Sequence, residues 1–289
     1  MATEFDEFIR RDLERQKGVF IPVKASILER LLVKNTSCDN MHPNENDEFT
    51  FPSVGPSYRI INEYMDSIRV QLRKGEPIFS EPIIVEKVRP KGYLILNGHH
   101  RWAASMKLSI KKVPIKIINI ASDSDLKQMM EKSKHDKRVT LDLDEVVFRT
   151  EKDELIEKVP SFLVGKLSNI RIRFGIPGLF HYLTKNGYDI WVYSSKFYSI
   201  DDMKALFKRY SVNVDGIVTA IEKVNKNDTP AAREMKKLIE NKYTQTLHID
   251  NDMVLLTGRD EEGFRDFKIE GPEDKWSANV IEIIDSLNK

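Results

Sequence analysis

The sequence contains one cysteine, Cys38, among its 289 residues. A single cysteine excludes an intrachain disulfide framework and a zinc site built from four thiolates. The sequence also lacks an apolar run long enough to span a membrane, and residues 1–18 are charged rather than signal-like. We therefore expect a cytoplasmic protein with no membrane partner.

An excess of charge of one sign is also absent. Lys and Arg number 46 and Asp and Glu number 45, which gives a formal net charge of +1. This balance argues against a protein whose whole surface binds nucleic acid, although a local basic patch is compatible with it. Hydrophobic residues make up 40% of the sequence, enough for packed cores, and a chain of this length favours two domains.

The first part of the chain, residues 1–120, has an α/β pattern. Residues 34–57 carry Asn, Asp, Ser, Pro and Gly without periodicity, which predicts a long loop. The strand-like segments are residues 82–86, 93–96 and 113–118, and a helical segment covers residues 102–107. We expect a small α+β domain here.

The second part of the chain alternates strands and helices. Residues 121–138 are polar and helical, which predicts a linker between two domains. Strands separated by helices over residues 139–289 predict a parallel sheet with right-handed crossovers. The predicted strands lie near residues 139–143, 189–194, 215–219 and 246–250.

Polar side chains follow three of these strands. Asp142 and Asp144 close the first strand, Ser194 follows the second, and Asp250 follows the last. The carboxyl ends of parallel strands meet at one edge of a sheet, where ligands bind. Carboxylates there can hold Mg²⁺, and one of them can attack a phosphoryl group in line. Lys226, which precedes a predicted helix, would add a positive charge.

In these segments the chain resembles the haloacid dehalogenase (HAD) superfamily over residues 139–289. The matching segments are residues 142–146, Ser194, a lysine near 226, and residues 250–252. The resemblance implies a Rossmannoid sheet domain and a Mg²⁺-dependent phosphatase that forms an aspartyl-phosphate. Residues 174–183 are similar to the capless carboxy-terminal-domain phosphatases, and the short interval before Ser194 leaves room for little or no cap. An open site and a macromolecular or bulky substrate follow from this.

The resemblance also implies a role for each residue. Asp142 is expected to be the nucleophile and Asp144 the general acid and base, which favours a phosphohydrolase. Ser194 is expected to donate a hydrogen bond to a phosphate oxygen, and Lys226 to neutralise the phosphate, although Lys223 lies close enough to compete. The implied metal ligands are Asp142, Asp144 and Asp250, with Asn251 or Asp252 in support.

A second motif, residues 97–101, lies between a strand and a helix. Gly98 allows a tight turn, and the free N–H groups at a helix start favour an anion. Arg101 adds a forked donor for phosphate, and His99 and His100 can supply donors or a base near neutral pH. The motif therefore predicts a phosphate-binding turn.

With its flanking segments, this turn resembles the ParB/sulfiredoxin fold over about residues 18–120. That family binds nucleotide phosphates at the turn. Sulfiredoxins carry Cys where this chain has His99, so sulfiredoxin chemistry is not expected, and no helix-turn-helix region follows to support DNA partitioning. Kinases of free serine share the turn, and Glu29 is a candidate acidic partner there, with an ordinary surface helix residue as the competing interpretation.

Two phosphate-handling motifs on one chain predict a two-domain phosphoryl-transfer enzyme. The second domain is expected to hydrolyse a phosphorylated substrate with Mg²⁺, and the first to bind ATP, ADP or CTP, with kinase activity as one hypothesis for it. A nucleotide-gated regulator with one idle site and a nucleic-acid end-processing enzyme also fit the two motifs. The near-zero net charge counts against nucleic acid as the partner.

Overall fold

The computed structural model describes residues 3–16, 18–150, 152–158, 170–220, 230–259 and 263–287. The chain folds into two compact units, Met1–Asn119 and Ile120–Lys289. Each unit has its own hydrophobic core. Among the described residues, no helix has both the length and the apolar character needed to cross a bilayer.

The first unit is built on a mixed sheet. Its strands are β1 (Ile21–Pro22), β2 (Lys34–Thr36), β3 (Met41–His42), β4 (Ile83–Arg89), β5 (Tyr93–Asn97) and β6 (Val113–Ile117). Its helices are α1 (Glu4–Gln16), α2 (Ile27–Leu31), α3 (Tyr58–Lys74) and α4 (His99–Lys107). The strand order is β2-β6-β4-β5-β3, with β1 paired to β4. Strand β5 leads directly into α4, so residue 98 lies at one edge of this sheet.

Local signals set the bounds of α3. The Ser57 hydroxyl accepts a hydrogen bond from the Ile60 N–H at the start of the helix, and Gly75 ends it with φ of 70°. The buried side chains Ile61 and Ile68 are seven residues apart, so they lie on one face and pack into the core of the first unit. The helix is therefore amphipathic and held by that core.

Residues 34–57, predicted to be a long loop, contain short elements that the sequence pattern did not indicate. Besides β2 and β3 there are two 3₁₀ turns, Cys38–Asn40 and Glu48–Thr50. Phe49 is only 2% exposed, and the Trp102 indole N–H donates to the Cys38 carbonyl at 3.1 Å. Burial also raises the pKa of the Cys38 thiol to about 11. The segment is thus part of the core of the first unit.

The second unit is built on a six-stranded sheet with an additional two-stranded sheet. Its strands are β7 (Lys137–Asp142), β8 (Phe148–Thr150), β9 (Ile170–Ile172), β10 (Tyr188–Tyr193), β11 (Gly216–Val218), β12 (Gln245–Ile249), β13 (Met253–Gly258) and β14 (Arg265–Lys268). Its helices are α5 (Asp123–Lys132), α6 (Ile176–Lys185), α7 (Ile200–Arg209), α8 (Pro230–Lys242) and α9 (Trp276–Leu287).

The order of the large sheet is β11-β10-β7-β12-β13-β14. The first four strands in this order are parallel, as the sequence predicts, and β13 and β14 extend the sheet with antiparallel pairs. The sheet is therefore mixed rather than wholly parallel. A tight return from β12 into β13 needs no helical crossover, which explains why the strand–helix alternation missed the last two strands.

Helices cover both faces of this sheet. On one face Val139, Leu141 and Leu247 join the large core of the second unit, which α6 and α9 cover. On the other face α5 packs Met129 and Met130 near Trp191 of β10. The predicted linker over residues 121–138 is thus part of the second unit, because the apolar stripe of α5 is buried there and β7 already begins at Lys137.

A single π-helical turn, Leu143–Val147, follows β7 and leads into β8, which pairs with β9 in an antiparallel two-stranded sheet. Its side chains Leu143, Val146 and Val147 are fully buried, so the turn is anchored in the core. The prediction of little or no cap concerns the segment between β8 and β9. Much of that segment, residues 151 and 159–169, lies outside the described residues.

Candidate functional site

The turn of the first unit begins where β5 ends at Asn97. Gly98 has φ of 99° and ψ of 25°, a conformation that favours glycine, and α4 begins at His99. A Cβ atom at residue 98 would lie 2.9 Å from Nη2 of Arg101. Glycine is therefore required here for two reasons: it permits the turn, and it leaves room for the Arg101 guanidinium.

Arg101 lies beneath this turn and is 8% exposed. Its Nη1 donates to the Glu81 carbonyl at 2.7 Å and its Nη2 donates to Oδ1 of Asn97 at 2.9 Å. The first N–H groups of α4 have no acceptor within the helix, so they are available to an anion. A cavity of about 310 Å³ adjoins the turn and is lined by Asp47, Ile60, Tyr64, Asn97, Gly98, His99, His100 and Arg101.

The two histidines of the turn bind backbone from the preceding segment. Nε2 of His99 accepts the Asn44 N–H at 3.2 Å, and Nε2 of His100 accepts the Ser57 N–H at 3.2 Å. Burial lowers the pKa of both rings, against the opposing effect of Asp47. An accepting nitrogen requires the neutral ring, so both histidines hold the loop as uncharged acceptors.

Glu29, the acidic residue singled out from the sequence, lies in the first turn of α2. It forms a capping box with Ser26, and its Oε1 lies 2.7 Å from Nζ of Lys87. The hydrogen bond from Lys87, followed by those from Ser26, lowers the pKa of Glu29 to about 2. The carboxylate is therefore ionised at neutral pH and about one third exposed.

In the second unit three neighbouring parallel strands end at one edge of the sheet. Strand β7 lies between β10 and β12, with Tyr193 opposite Asp142 and Ile249 opposite Leu141. Ser194 and Asp250 directly follow β10 and β12. The residues that the sequence placed at strand ends thus come to one edge, as expected for parallel strands.

Asp142 starts the π-helical turn. Its Oδ1 accepts the N–H groups of Asp144 at 2.7 Å and of Glu145 at 2.9 Å. These two bonds fix the carboxylate at the end of β7. A carboxylate oxygen fixed in this way is suited to act as a nucleophile.

Asp144 is the centre of a hydrogen-bond network. Its Oδ2 accepts from the Ser194 hydroxyl at 2.5 Å, and its Oδ1 accepts from the Tyr198 hydroxyl at 2.7 Å and lies 2.9 Å from Nζ of Lys196. Burial raises the pKa of Asp144, but the bonds from Lys196, Ser194 and Tyr198 outweigh burial and leave it lowered. Asp144 is therefore ionised and paired in this arrangement.

Sequence reasoning missed Lys196 and Tyr198. They are the second and fourth residues after Ser194. Burial and the neighbouring Asp144 raise the pKa of the Tyr198 hydroxyl. The Lys196 backbone N–H also donates to the Ser194 hydroxyl at 2.9 Å. A signal was present in the run of hydroxyl and basic residues after β10, but nothing local tied it to Asp144.

Arg173 contacts the residues that follow β12 at this edge of the sheet. Its Nη1 donates to Oδ1 of Asn251 at 3.0 Å, and its guanidinium lies 4.0 Å from the centre of the Trp276 ring. Trp276 in turn donates to the Asn251 carbonyl at 2.7 Å, while Oδ1 of Asp250 accepts the Asn251 N–H at 2.7 Å. The Asn251 amide is thus directed toward Arg173.

Within the described part of the chain, no group of three or more His, Cys, Asp or Glu side chains is arranged to hold a metal ion. The residues in their present positions do not fit a magnesium centre, because Lys196 neutralises Asp144 and Arg173 occupies Asn251. A Mg²⁺ site on this ligand set would therefore require Lys196 and Arg173 to leave these contacts, and it stays a prediction. Lys223 and Lys226 lie outside the described residues.

Known proteins resemble this chain in sequence over part of its length. Residues 40–133 match the sequence profile of the ParB N-terminal domain, which confirms the predicted ParB-like domain. The chain is also similar to the ADP-dependent L-serine kinase SerK of Thermococcus kodakarensis, with 28% identity over 136 residues. That match covers 43% of this chain and 52% of the relative, so the chain spans about half the length of the curated relative.

Three solved structures show weaker similarity. The C-terminally truncated chromosome-partitioning protein ParB from Caulobacter crescentus, complexed with CTP-gamma-S, has 17% identity and a TM-score of 0.26, over 36% of this chain and 56% of that one. Sulfiredoxin from Arabidopsis thaliana has 21% identity and a TM-score of 0.25, over 34% and 94%. A free serine kinase in complex with AMP has 15% identity and a TM-score of 0.24, over 86% and 94%. TM-scores this low do not establish a shared fold.

Proposed function

We propose that this chain is a nucleotide-dependent phosphoryl-transfer enzyme, and that its first unit transfers the terminal phosphoryl group of a nucleotide to a small hydroxyl compound such as serine. The observation that carries the proposal is the turn at Gly98, which joins a glycine corner, a helix start and a buried arginine beside one cavity. The similarity to an ADP-dependent L-serine kinase supports the same chemistry.

The turn is built to bind phosphate. The free N–H groups of the first turn of α4 and the positive end of the helix dipole favour negative charge. Arg101 keeps the turn in shape through its bonds to Asn97 and the Glu81 carbonyl and adds positive charge beneath it. Because His99 and His100 are neutral acceptors, they hold the loop over the turn without adding charge.

In the proposed transfer the acceptor hydroxyl oxygen forms a bond to the terminal phosphorus. The bond from that phosphorus to the bridging oxygen breaks, and the shortened nucleotide leaves with the electron pair. The hydroxyl proton passes to a base, for which Glu29 is the candidate because its carboxylate is ionised and partly exposed. Its ion pair with Lys87 must loosen before it accepts that proton.

The test is to incubate the full chain with ADP, ATP or CTP and a panel of hydroxyl acceptors that includes L-serine, and to measure the shortened nucleotide. We expect acceptor-dependent release, and Arg101→Gln to lower it roughly tenfold or more through loss of charge-assisted bonds. Arg69→Gln is the matched control, since Arg69 lies on the exposed side of α3 and pairs with Asp66 three residues away.

Nucleotide binding by calorimetry is measured in parallel. Binding without product on any acceptor would overturn the kinase and favour the nucleotide-gated regulator. If the chain shows no nucleotide binding and forms no product, nucleotide recognition at the turn is overturned. Salt-dependent binding of oligonucleotides would instead favour the end-processing enzyme.

A second candidate activity, phosphomonoester hydrolysis, is proposed for the second unit. It is favoured by Asp142, Ser194 and Asp250 following three adjacent strands at one edge. An Asp142 carboxylate oxygen would form a bond to phosphorus while the ester P–O bond breaks, and the alcohol oxygen would leave with the bonding electron pair and take a proton from solvent water. Water would then hydrolyse the aspartyl-phosphate, and the ionised Asp144 is suited to take the proton from that water.

Turnover of p-nitrophenyl phosphate, with Mg²⁺ and with a chelator, tests this activity. We expect turnover by the wild-type chain and its loss in Asp142→Asn. Asp266→Asn is the control, since Asp266 is exposed on β14. Absence of turnover on this substrate and on a broad panel of phosphate esters would contradict the phosphatase.

A further inference from the structure

Strands β7 and β12 place polar side chains on one face of the second unit's sheet, and the candidate activities leave these side chains without a role. Side chains alternate between the faces of a strand, so Arg138 and Thr140 of β7 point away from the large core to which Val139 and Leu141 belong. Thr246 and His248 occupy the same face on β12, since His248 pairs with Thr140 in register. A buried sheet face is ordinarily apolar, and these four positions on it are polar.

A cavity of about 1130 Å³ lies over this polar face, with residues of α8 along its side. Its wall includes Met235 and Ile239 from α8 and Tyr243 just after the helix. All of its lining residues belong to the second unit. Arg138 is the second residue of β7, whereas Asp142 is the last, so four residues at about 3.3 Å each separate the cavity's arginine from the candidate catalytic edge.

Arg138 is the charged group of the cavity floor, and it is only 9% exposed. Its Nε donates to the Thr246 hydroxyl at 3.3 Å and its Nη1 donates to the Tyr193 hydroxyl at 3.4 Å. Its guanidinium carbon lies 5.3 Å from the centre of the Tyr243 ring. Within the described part of the chain, the partners of the Arg138 side chain are two hydroxyl groups and an aromatic face, and they carry no negative charge.

A buried charge without an opposite charge is costly, and proteins normally pair it. The carboxylate in the cavity wall, that of Glu240, lies 3.8 Å from Nζ of Lys236. Arg259, also on the wall, donates to the carbonyls of Glu240 and Asn241 at the end of α8. The cavity therefore keeps a net positive character in its floor.

We propose that this cavity binds a phosphate-bearing small molecule, with the phosphate paired to the Arg138 guanidinium. The fork of the guanidinium matches phosphate oxygens, and only part of its donor capacity is used by Thr246 and Tyr193. His248 bonds to the hydroxyl of Thr140 at 2.8 Å and completes a polar floor. The site is separate from the turn at Gly98 and from the edge at Asp142, and it does not depend on either proposed activity.

The test uses the full chain, inorganic phosphate as the probe, and chloride at equal ionic strength as the reference. Unfolding by urea is followed by hydrogen exchange in β7 and β12, so that the readout comes from the second unit. We expect phosphate to protect the wild-type chain beyond chloride. We expect Arg138→Met to lose that protection, with phosphate binding weaker by roughly tenfold or more.

Without phosphate, Arg138→Met is expected to unfold at the same or a higher urea concentration, because it removes a buried charge that no described carboxylate pairs and keeps much of the volume. Lys204→Met, at an exposed position on α7, is the control. Arg138→Lys is a second variant that keeps the charge and loses the fork, and it is expected to bind phosphate with intermediate strength.

Equal phosphate protection of the wild-type chain and both Arg138 variants would overturn the site, as would no protection beyond chloride in the wild-type chain. Phosphate bound at the other two candidate sites would protect all of these chains alike, so it does not produce the expected difference. The kinase and phosphatase assays remain separate readouts, since Arg138 is part of neither site.

Discussion

Replacing Gly98 by alanine tests the candidate phosphate-binding turn most directly. The residue has φ of 99°, where an alanine is strained, and the added Cβ would lie 2.9 Å from Nη2 and 3.0 Å from Nε of Arg101. The arginine would have to move, and it is held by bonds to the Glu81 carbonyl and to Asn97. One added methyl group therefore disturbs both the backbone and the guanidinium.

The magnitude follows from these two effects. A left-handed conformation costs a non-glycine residue about 1–2 kcal/mol. Loss of one hydrogen bond from the charged guanidinium adds about 1.5–3 kcal/mol. We expect Gly98→Ala to lower the free energy of unfolding of the first unit by about 2.5–5 kcal/mol and to weaken nucleotide binding at the turn.

Gly75→Ala is the matched control. Gly75 ends α3 with φ of 70°, and a Cβ there would meet no atom within 4 Å. It should therefore cost only the backbone strain of about 1–2 kcal/mol and leave nucleotide binding intact. Hydrogen exchange of the α3 amides measures the free energy of unfolding of the first unit in both variants. Equal losses in the two variants, or unchanged nucleotide binding in Gly98→Ala, would refute the argument that Gly98 makes room for Arg101.

Two further predictions concern the second unit. Lys196→Met should raise the pKa of Asp144, because the ion pair with Lys196 helps to hold that pKa low. The stability that the Asp144 carboxylate contributes is present above its ordinary pKa and is lost as pH falls through the native pKa, so acid unfolding of the variant should begin at a higher pH. An unchanged Asp144 carboxyl titration by NMR would contradict this. Gly216→Ala would place a Cβ 2.1 Å from the buried ring of Trp191 and should cost about 1–3 kcal/mol or more in thermal unfolding. Gly178→Ala, in open space on α6, should be neutral or stabilising, and similar melting of the two alanine variants would rule out the predicted clash.

The strands with strong periodicity could be predicted from the sequence, and the paired short ones could not. β10 was expected at 189–194 and spans Tyr188–Tyr193, because its apolar run is a local signal. The three-residue strand β2 and the two-residue strand β3 exist through pairing with β6 and β5, far away in the chain. Such strands carry no period of their own, so residues 34–57 looked like an unstructured loop.

The edge of the second sheet was predictable for a different reason. Asp142, Ser194 and Asp250 each follow an apolar strand, and parallel strands bring their ends together. The partners of Asp144 were not predictable in the same way. Lys196 and Tyr198 reach it only because the chain after β10 turns back toward the π-helical turn.

The sequence by itself determined where the apolar strands end in acids and hydroxyl groups, and where a glycine precedes a helix that carries Arg101. Those features depend on neighbouring residues, so they are visible in the order of the chain. The tertiary structure alone decided which of these groups are charged and which are neutral. His99 is an uncharged acceptor because it is buried and the Asn44 N–H donates to it. Arg138 contacts the hydroxyl groups of Thr246 and Tyr193 and the ring of Tyr243, which other strands and segments bring to it. Desolvation and hydrogen-bond partners are supplied by distant parts of the chain, which is why only the folded molecule assigns those charges.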